Sequence, residues 1–172
     1  NEYIYKFVSD AKWDPADANR PGEAYDRLAL GAKYMDQGTL YVARFDADGG
    51  GEWLALEPDT RVADGGTLAE ALSLAEDDRA GVIVHTCDAA DLLGATPMDR
   101  PEWGTVDPSS GEVYMTLTNN SRRTEADSAP TFTNEGDAIE AAGVGYATAP
   151  ANAANPRADN EAGQVIRWRE RG

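Results

Sequence analysis

The two side chains whose types and spacing most suggest chemistry are Arg100 and Glu102. Side chains two residues apart in an extended strand point the same way, so a strand here presents a fixed cation and a fixed anion on one face. Such a pair at the end of a strand is a candidate for a binding or catalytic site. The same spacing is also typical of a surface ion pair, which contributes little to stability.

A β-hairpin predicted over residues 103 to 118 must position this pair. Apolar and polar residues alternate from Val113 to Leu117, which is the period of a strand. Residues 107 to 111 combine Asp, Pro and Gly, which favour a tight turn. Pro101 has no N–H and favours the first position of a strand, so Glu102 is expected near a strand end.

Several segments of the chain resemble the secreted alkaline phosphatase family called PhoX. In chain order these segments are Tyr5–Ser9, Gly38–Phe45, Ala90–Thr96, Asp99–Trp103, Asp107–Tyr114, Thr116–Arg123, Ala154–Ala158 and Ile166–Glu170. They keep the family's order over nearly the whole chain. Members of that family are several times longer, so this chain resembles an interior piece of one.

The resemblance implies a fold and a site. Family members resemble six-bladed β-propellers whose central site holds iron and calcium ions around the phosphate. The fold expected here is mainly β with inserted helices, a partial β-propeller of about two antiparallel blades, with residues 1–172 forming a single domain. The resemblance implies that Arg100 is a catalytic, phosphate-binding group and that Glu102 is a ligand for Ca²⁺ or Fe³⁺. The family's cysteine ligand and several of its acids fall in segments absent from this chain, so one copy is not expected to build a complete site.

The implied parent enzyme hydrolyses phosphate monoesters and is periplasmic or extracellular, and the isolated chain is expected to be inactive. No targeting segment is recognised in residues 1 to 9, so such a segment is either absent or lies outside this chain. Two alternatives stay open. One is a non-catalytic β-sheet binding or structural module, and the other is a different calcium-dependent propeller hydrolase.

The amino-acid composition limits the kinds of partner that this chain is expected to bind. The 172 residues are 41% hydrophobic and 27% charged, as in globular domains, and no long apolar run predicts a membrane span. The formal net charge of −16, from 31 acids against 15 Lys and Arg, opposes binding to nucleic acid. The single Cys87 is expected to be a small buried apolar group, and the single His85 excludes multi-histidine metal sites.

The remaining elements follow from local patterns. Among strands, we predict one over residues 1 to 9, a hairpin over residues 39 to 56 and a strand at Gln164–Arg169. We predict one helix from the Thr67–Glu70 capping box to about Asp77, and another from about Ala80 to Leu93 that stops at Gly94. Residues 10 to 37 are predicted to form a loop with a short helical turn, and residues 119 to 163 a polar stretch. Arg122 and Arg123 are expected to be exposed on a loop. Unprotected sheet edges predict self-association with another copy.

Overall fold

The computed structural model describes residues 3–19, 24–63, 65–132 and 145–170. Its elements are β1 (Tyr5–Ser9), a 3₁₀ turn (Pro15–Asp17), α1 (Arg27–Met35), β2 (Gly38–Phe45), β3 (Gly51–Ala55), α2 (Leu68–Ala71), α3 (Arg79–Val84), α4 (Thr86–Leu92), β4 (Pro101–Val106), β5 (Glu112–Leu117), β6 (Thr131–Phe132), β7 (Tyr146–Thr148) and β8 (Gln164–Arg169). The chain is therefore mainly β with some helices, as predicted.

Two antiparallel sheets of three strands dominate the described part of the chain. The first has the order β1-β2-β3, and Val42 of its central strand pairs with Tyr5 and Leu54. The second has the order β4-β5-β8, and Val113 of its central strand pairs with Val106 and Trp168. Both predicted hairpins and the predicted strand at Gln164–Arg169 are confirmed.

The two large sheets pack on each other through a shared apolar core. Ile4, Ala43, Met98 and Leu117 are buried there. Aromatic rings extend the contact, because Trp168 of β8 lies 5.8 Å from Phe45 and 6.3 Å from Trp53 between ring centroids. Burial of this apolar surface fixes the second sheet, which carries the predicted site, against the first.

The helices between β3 and β4 pack around a second core on the first sheet. Val42, Leu56, Leu68, Leu72 and Val82 are fully buried or nearly so in this core. The predicted capping box is confirmed, since the Thr67 hydroxyl accepts from the backbone N–H of Glu70 and the Glu70 carboxylate accepts from the N–H of Thr67. The helices are inserted between strands, as expected.

The predicted extents of these helices were wrong. The helix that begins after Thr67 ends at Ala71 rather than near Asp77, because Ser73 adopts a left-handed backbone with φ of 57°. The helix predicted from Ala80 to Leu93 is two helices, α3 and α4, separated at His85. Its predicted end is confirmed, since Gly94 follows the last turn with φ of 69°.

Two further predictions need correction. The segment predicted as a loop with a short helical turn contains the nine-residue helix α1, whose first N–H groups are capped by the Asp26 carboxylate. Cys87 is exposed on α4 rather than buried, because the buried face of that short helix is formed by Ala89 and Ala90. Among the described residues, no helix has the length and apolarity that crossing a bilayer requires.

A carboxyl group on α4 links this helix to the residues that precede β1. The Tyr3 hydroxyl donates to the Asp91 side chain. Burial raises the pKa of Asp91 to about 7, although a hydrogen bond from the Gly145 backbone opposes that shift. Together, the two hydrogen bonds join the residues before β1, helix α4 and the beginning of the described segment 145–170 at the Asp91 carboxyl group.

Candidate functional site

The β4–β5 hairpin is closed by a turn with its own hydrogen bonds. The Asp107 carboxylate accepts from the backbone N–H of Ser109 and from the hydroxyls of Ser109 and Ser110, each at 2.8 Å. These bonds lower the pKa of Asp107 to about 2, and the hydrogen bond from the Ser109 backbone makes the largest contribution. Gly111 closes the turn with φ of 72°. The turn predicted from sequence is confirmed, and it fixes the register of the hairpin.

Arg100 occupies a corner immediately before β4. Its backbone is left-handed, with φ of 45°, which is uncommon for a residue with a side chain. The N–H of Arg100 donates to the Met98 carbonyl at 3.0 Å, and its carbonyl accepts from the N–H of Thr118 at 3.3 Å. A residue whose N–H and carbonyl groups are both hydrogen-bonded in such an uncommon conformation is often part of a functional site.

The Arg100 guanidinium bonds only to uncharged groups in the described part of the chain. Nε and Nη2 donate to the Asn119 carbonyl at 2.8 and 2.5 Å, and Nη2 also donates to the Asn119 side-chain oxygen. The Arg100 side chain is exposed, and no described carboxylate lies within 4 Å of it. This is notable in a chain with 31 acidic residues and 15 Lys and Arg residues. Among the described residues, no carboxylate neutralises the charge of this guanidinium.

A buried polar network lies directly behind this corner. Asp99 is fully buried, and its carboxylate accepts from Arg123 Nε at 2.5 Å, from Asn120 Nδ2 at 3.1 Å and from Asn160 Nδ2 at 3.1 Å. Its backbone N–H donates to the side-chain oxygen of Asn155 at 2.9 Å. Three segments that are distant in sequence are thereby joined at the residue next to Arg100.

The expectation that Arg123 is exposed was wrong. Its side chain is fully buried in an ion pair with Asp99, and its Nη1 and Nη2 donate to the carbonyls of Pro150 at 2.8 Å and Pro97 at 3.0 Å. A buried guanidinium is tolerated when it is paired and hydrogen-bonded in this way. The neighbouring Arg122 is exposed, as predicted.

Glu102 sits on a β-bulge. The register shifts between Pro101, which pairs with Leu117, and Trp103, which pairs with Thr116, so Glu102 is the additional residue. It is exposed and accepts no hydrogen bond from any residue that the structure describes. Bulges are frequent beside active sites, where they redirect a side chain. Because of the bulge and the left-handed Arg100, simple alternation does not determine the relative directions of Arg100 and Glu102.

The described residues of one chain do not form a complete metal site. Within the four described ranges, no group of three or more His, Cys, Asp or Glu side chains is arranged to hold a metal ion. Calcium takes roughly six to eight oxygen ligands, and iron also needs several. Glu102 alone would supply one ligand.

A cleft of about 640 Å³ lies at the seam of the two large sheets, away from Arg100. Its lining includes four cations, and each of these lies within 4 Å of an acid. The pairs are Lys6 with Glu170, Arg44 with Glu52, Arg167 with Glu112 and Arg169 with Glu112. Since these cations are already paired, the cleft is less suited to an anion than the Arg100 corner.

Sequence reasoning missed Asn119 and the buried network. The one available signal was the repeated asparagine between positions 119 and 160. Residues 133–144 of the predicted polar stretch lie outside the described part of the chain. The described remainder contains β6 and β7, which pair through Thr131 and Thr148, as well as the network residues Asn155 and Asn160.

The whole chain is similar to one family of known proteins. The family model of the alkaline phosphatase PhoX matches residues 1–172. Among solved structures, Pseudomonas fluorescens PhoX in complex with vanadate, a transition state analogue, is similar with 35% sequence identity and a TM-score of 0.61. The match covers 97% of this chain but 24% of that chain, so this chain spans about a quarter of that protein. No curated protein gives a significant match.

Proposed function

Because the chain belongs to the PhoX alkaline phosphatase family, we propose that it is a segment of a metal-dependent phosphatase that hydrolyses phosphate monoesters. In this proposal Arg100 is the catalytic group that binds the phosphoryl oxygens, and Glu102 is a metal ligand. The observation that carries the proposal is the Arg100 corner, where an exposed guanidinium with no acid partner among the described residues is held at a left-handed backbone position. The bulged Glu102 lies two residues away.

The proposed role of Arg100 follows from the chemistry of its side chain. A guanidinium forms short, charge-assisted hydrogen bonds to phosphate oxygens. Charge develops on those oxygens as the phosphoryl group is transferred, so a cation already in place stabilises the transition state. Arg100 has its backbone and guanidinium held by Met98, Thr118 and Asn119, and little rearrangement is needed before it binds an anion.

Glu102 is proposed as one ligand of a calcium or iron ion. A carboxylate is a hard oxygen ligand suited to Ca²⁺ and also binds Fe³⁺. Its exposed position on the bulge leaves its oxygens free of hydrogen bonds to described residues. Because the described residues do not complete a site, we assign no reaction step to a metal in this chain.

The same proposal extends to the architecture and location of the protein. Residues 1–172 form a single domain, a partial β-propeller of about two blades, and the support is the apolar core that two antiparallel three-stranded sheets share. Exposed Trp103 and Val106 lie on β4, a strand with one unpaired edge among the described strands, which favours self-association with another copy. We extend the proposal to a parent enzyme in the periplasm or outside the cell, as the family resemblance implies.

A second candidate function is a non-catalytic structural module with the same fold. It is favoured by one observation, the absence of a three-ligand metal group among the described residues. Binding of phosphate at Arg100 separates the two candidates, because a purely structural module has no need of an anion site there.

Hydrolysis of a generic aryl phosphate, with calcium and ferric iron supplied, tests whether one chain builds an active site. We expect no rate above the metal-only background for the wild type or for Glu102→Gln, since one carboxylate cannot hold the metals. Glu125→Gln is the matched control, because Glu125 is also exposed and lies outside the bulge. Hydrolysis by the wild type and Glu125→Gln that is lost in Glu102→Gln would show that a complete site assembles from this chain, and the expectation of an incomplete site would then be wrong.

A further inference from the structure

We propose that Asn119 is a positioning residue that holds the Arg100 guanidinium by its inner edge and leaves its outer nitrogen free for an anion. The inference rests on the proposed role of Arg100 in binding phosphoryl oxygens. It assigns a function to Asn119, whose hydrogen bonds to described side chains run to Arg100 and not to Glu102.

The hydrogen bonds around the guanidinium define the two edges. Nε and Nη2 are both engaged by Asn119, through its backbone carbonyl and through its side-chain oxygen. No described residue accepts from Nη1 of Arg100. Since the guanidinium is planar and rigid, fixing Nε and Nη2 also fixes the direction of Nη1.

An amide at position 119 suits this task because it is neutral. The side-chain oxygen of Asn119 accepts a hydrogen bond from Arg100 without cancelling its charge. A carboxylate at the same position would form an ion pair and compete with an incoming phosphate. Holding the long arginine side chain before binding also reduces the conformational entropy that the anion must overcome.

The buried network sets the spacing between Arg100 and Asn119. Each of these residues directly follows or precedes a network member, since Asp99 comes before Arg100 and Asn120 comes after Asn119. The Asn120 side chain donates to Asp99 at 3.1 Å, and the backbone N–H of Asn120 donates to the Asn160 carbonyl at 2.6 Å. The two residues are therefore held beside each other by groups that are largely buried, which keeps their own contact at the surface in one arrangement.

The test compares Asn119→Ala with the wild type by nitrogen-15 NMR of the arginine side chains and by titration with inorganic phosphate. We expect the Arg100 Nε–H signal of Asn119→Ala to show faster guanidinium motion, and we expect phosphate to bind about 10-fold more weakly, as loss of one hydrogen bond to a charged group implies. Asn119→Asp should keep the guanidinium restricted and still weaken phosphate binding, because it adds an opposing charge. Ser121→Ala, an exposed change on the same loop, is the control and should alter neither readout.

Unchanged guanidinium motion and unchanged phosphate affinity in Asn119→Ala would overturn the proposal. The Arg100→Gln variant separates this failure from failure of the proposed function. If Arg100→Gln binds phosphate as tightly as the wild type, the anion-binding role of Arg100 is wrong. In that case the Arg100 Nε–H signals of the wild type and of Asn119→Ala still decide whether Asn119 positions the arginine side chain. Because Asn119 is exposed, its variants are expected to fold.

Discussion

Replacing Asp99 with alanine is expected to lower the free energy of unfolding by about 3–5 kcal/mol, because it leaves a buried guanidinium without its counter-charge. The Asp99 and Arg123 side chains are both fully buried, with 2.5 Å between Nε and the carboxylate oxygen. The side-chain amides of Asn120 and Asn160 lose the same acceptor. Urea denaturation followed by tryptophan fluorescence measures the change.

Glu170→Ala is the matched control for this prediction. Glu170 also forms an ion pair, with Lys6 at 2.8 Å, but the two side chains are partly exposed at 43% and 28%. Exposed pairs are screened by water and salt, so the expected loss is less than about 1 kcal/mol. Equal losses in Asp99→Ala and Glu170→Ala would contradict the assignment of the Asp99 network as the support of the site.

The second large effect is expected at Gly163, immediately before β8. A Cβ at this position would lie 2.5 Å from the Leu117 carbonyl oxygen, and the backbone has a φ of +70°. Gly163→Ala therefore combines a steric clash with backbone strain, and we expect it to cost about 2–4 kcal/mol. The clash falls on the end of β5, from which the chain continues to Asn119, so the Arg100 NMR signal should shift as well.

Gly111→Ala separates the clash from the strain. Gly111 has a similar φ of +72°, but a Cβ added there would meet no described atom within 4 Å. Only the left-handed conformation is penalised at this position, at about 1 kcal/mol. If urea denaturation shows the same loss in the free energy of unfolding for both variants, the close approach of Gly163 to β5 does not contribute to the effect and the prediction is wrong.

The strands could be predicted because their signals are local. The alternation of residue types at Val113–Leu117 and the turn chemistry of residues 107–111 lie within one hairpin, and the structure confirms the strand and the turn that they predict. The strand at Gln164–Arg169 alternates between half-buried and exposed residues over its whole length. In each case the residues that decide the structure are neighbours in sequence.

The helix extents could not be predicted from the same local patterns. Apolar residues continue past Ala71, but Ser73 takes a left-handed backbone and the N–H of Leu74 bonds back to the Ala69 carbonyl at 2.8 Å. The exposure of Cys87 depends on which face of α4 meets the core, and seven residues are too few to define that face from sequence.

The site is only partly predictable from sequence. The spacing and the family resemblance single out Arg100 and Glu102, but their surroundings come from contacts across long stretches of chain. Arg100 meets Asn119 across 19 residues, and Asp99 meets Asn160 across 61 residues. No local pattern predicts such contacts, and the buried position of Arg123 is missed because its partner lies 24 residues earlier.

Titration with inorganic phosphate, followed on the arginine side-chain signals, tests the central claim that Arg100 is the anion-binding group. Arg122→Gln is the control, because Arg122 is an exposed arginine on the loop that follows Asn119 and, in the described part of the chain, pairs with no acid. We expect phosphate to shift the Arg100 and Asn119 signals of the wild type and of Arg122→Gln, and we expect the Asn119 response to disappear in Arg100→Gln. A response that persists in Arg100→Gln, or that is lost in Arg122→Gln, would contradict this role of Arg100.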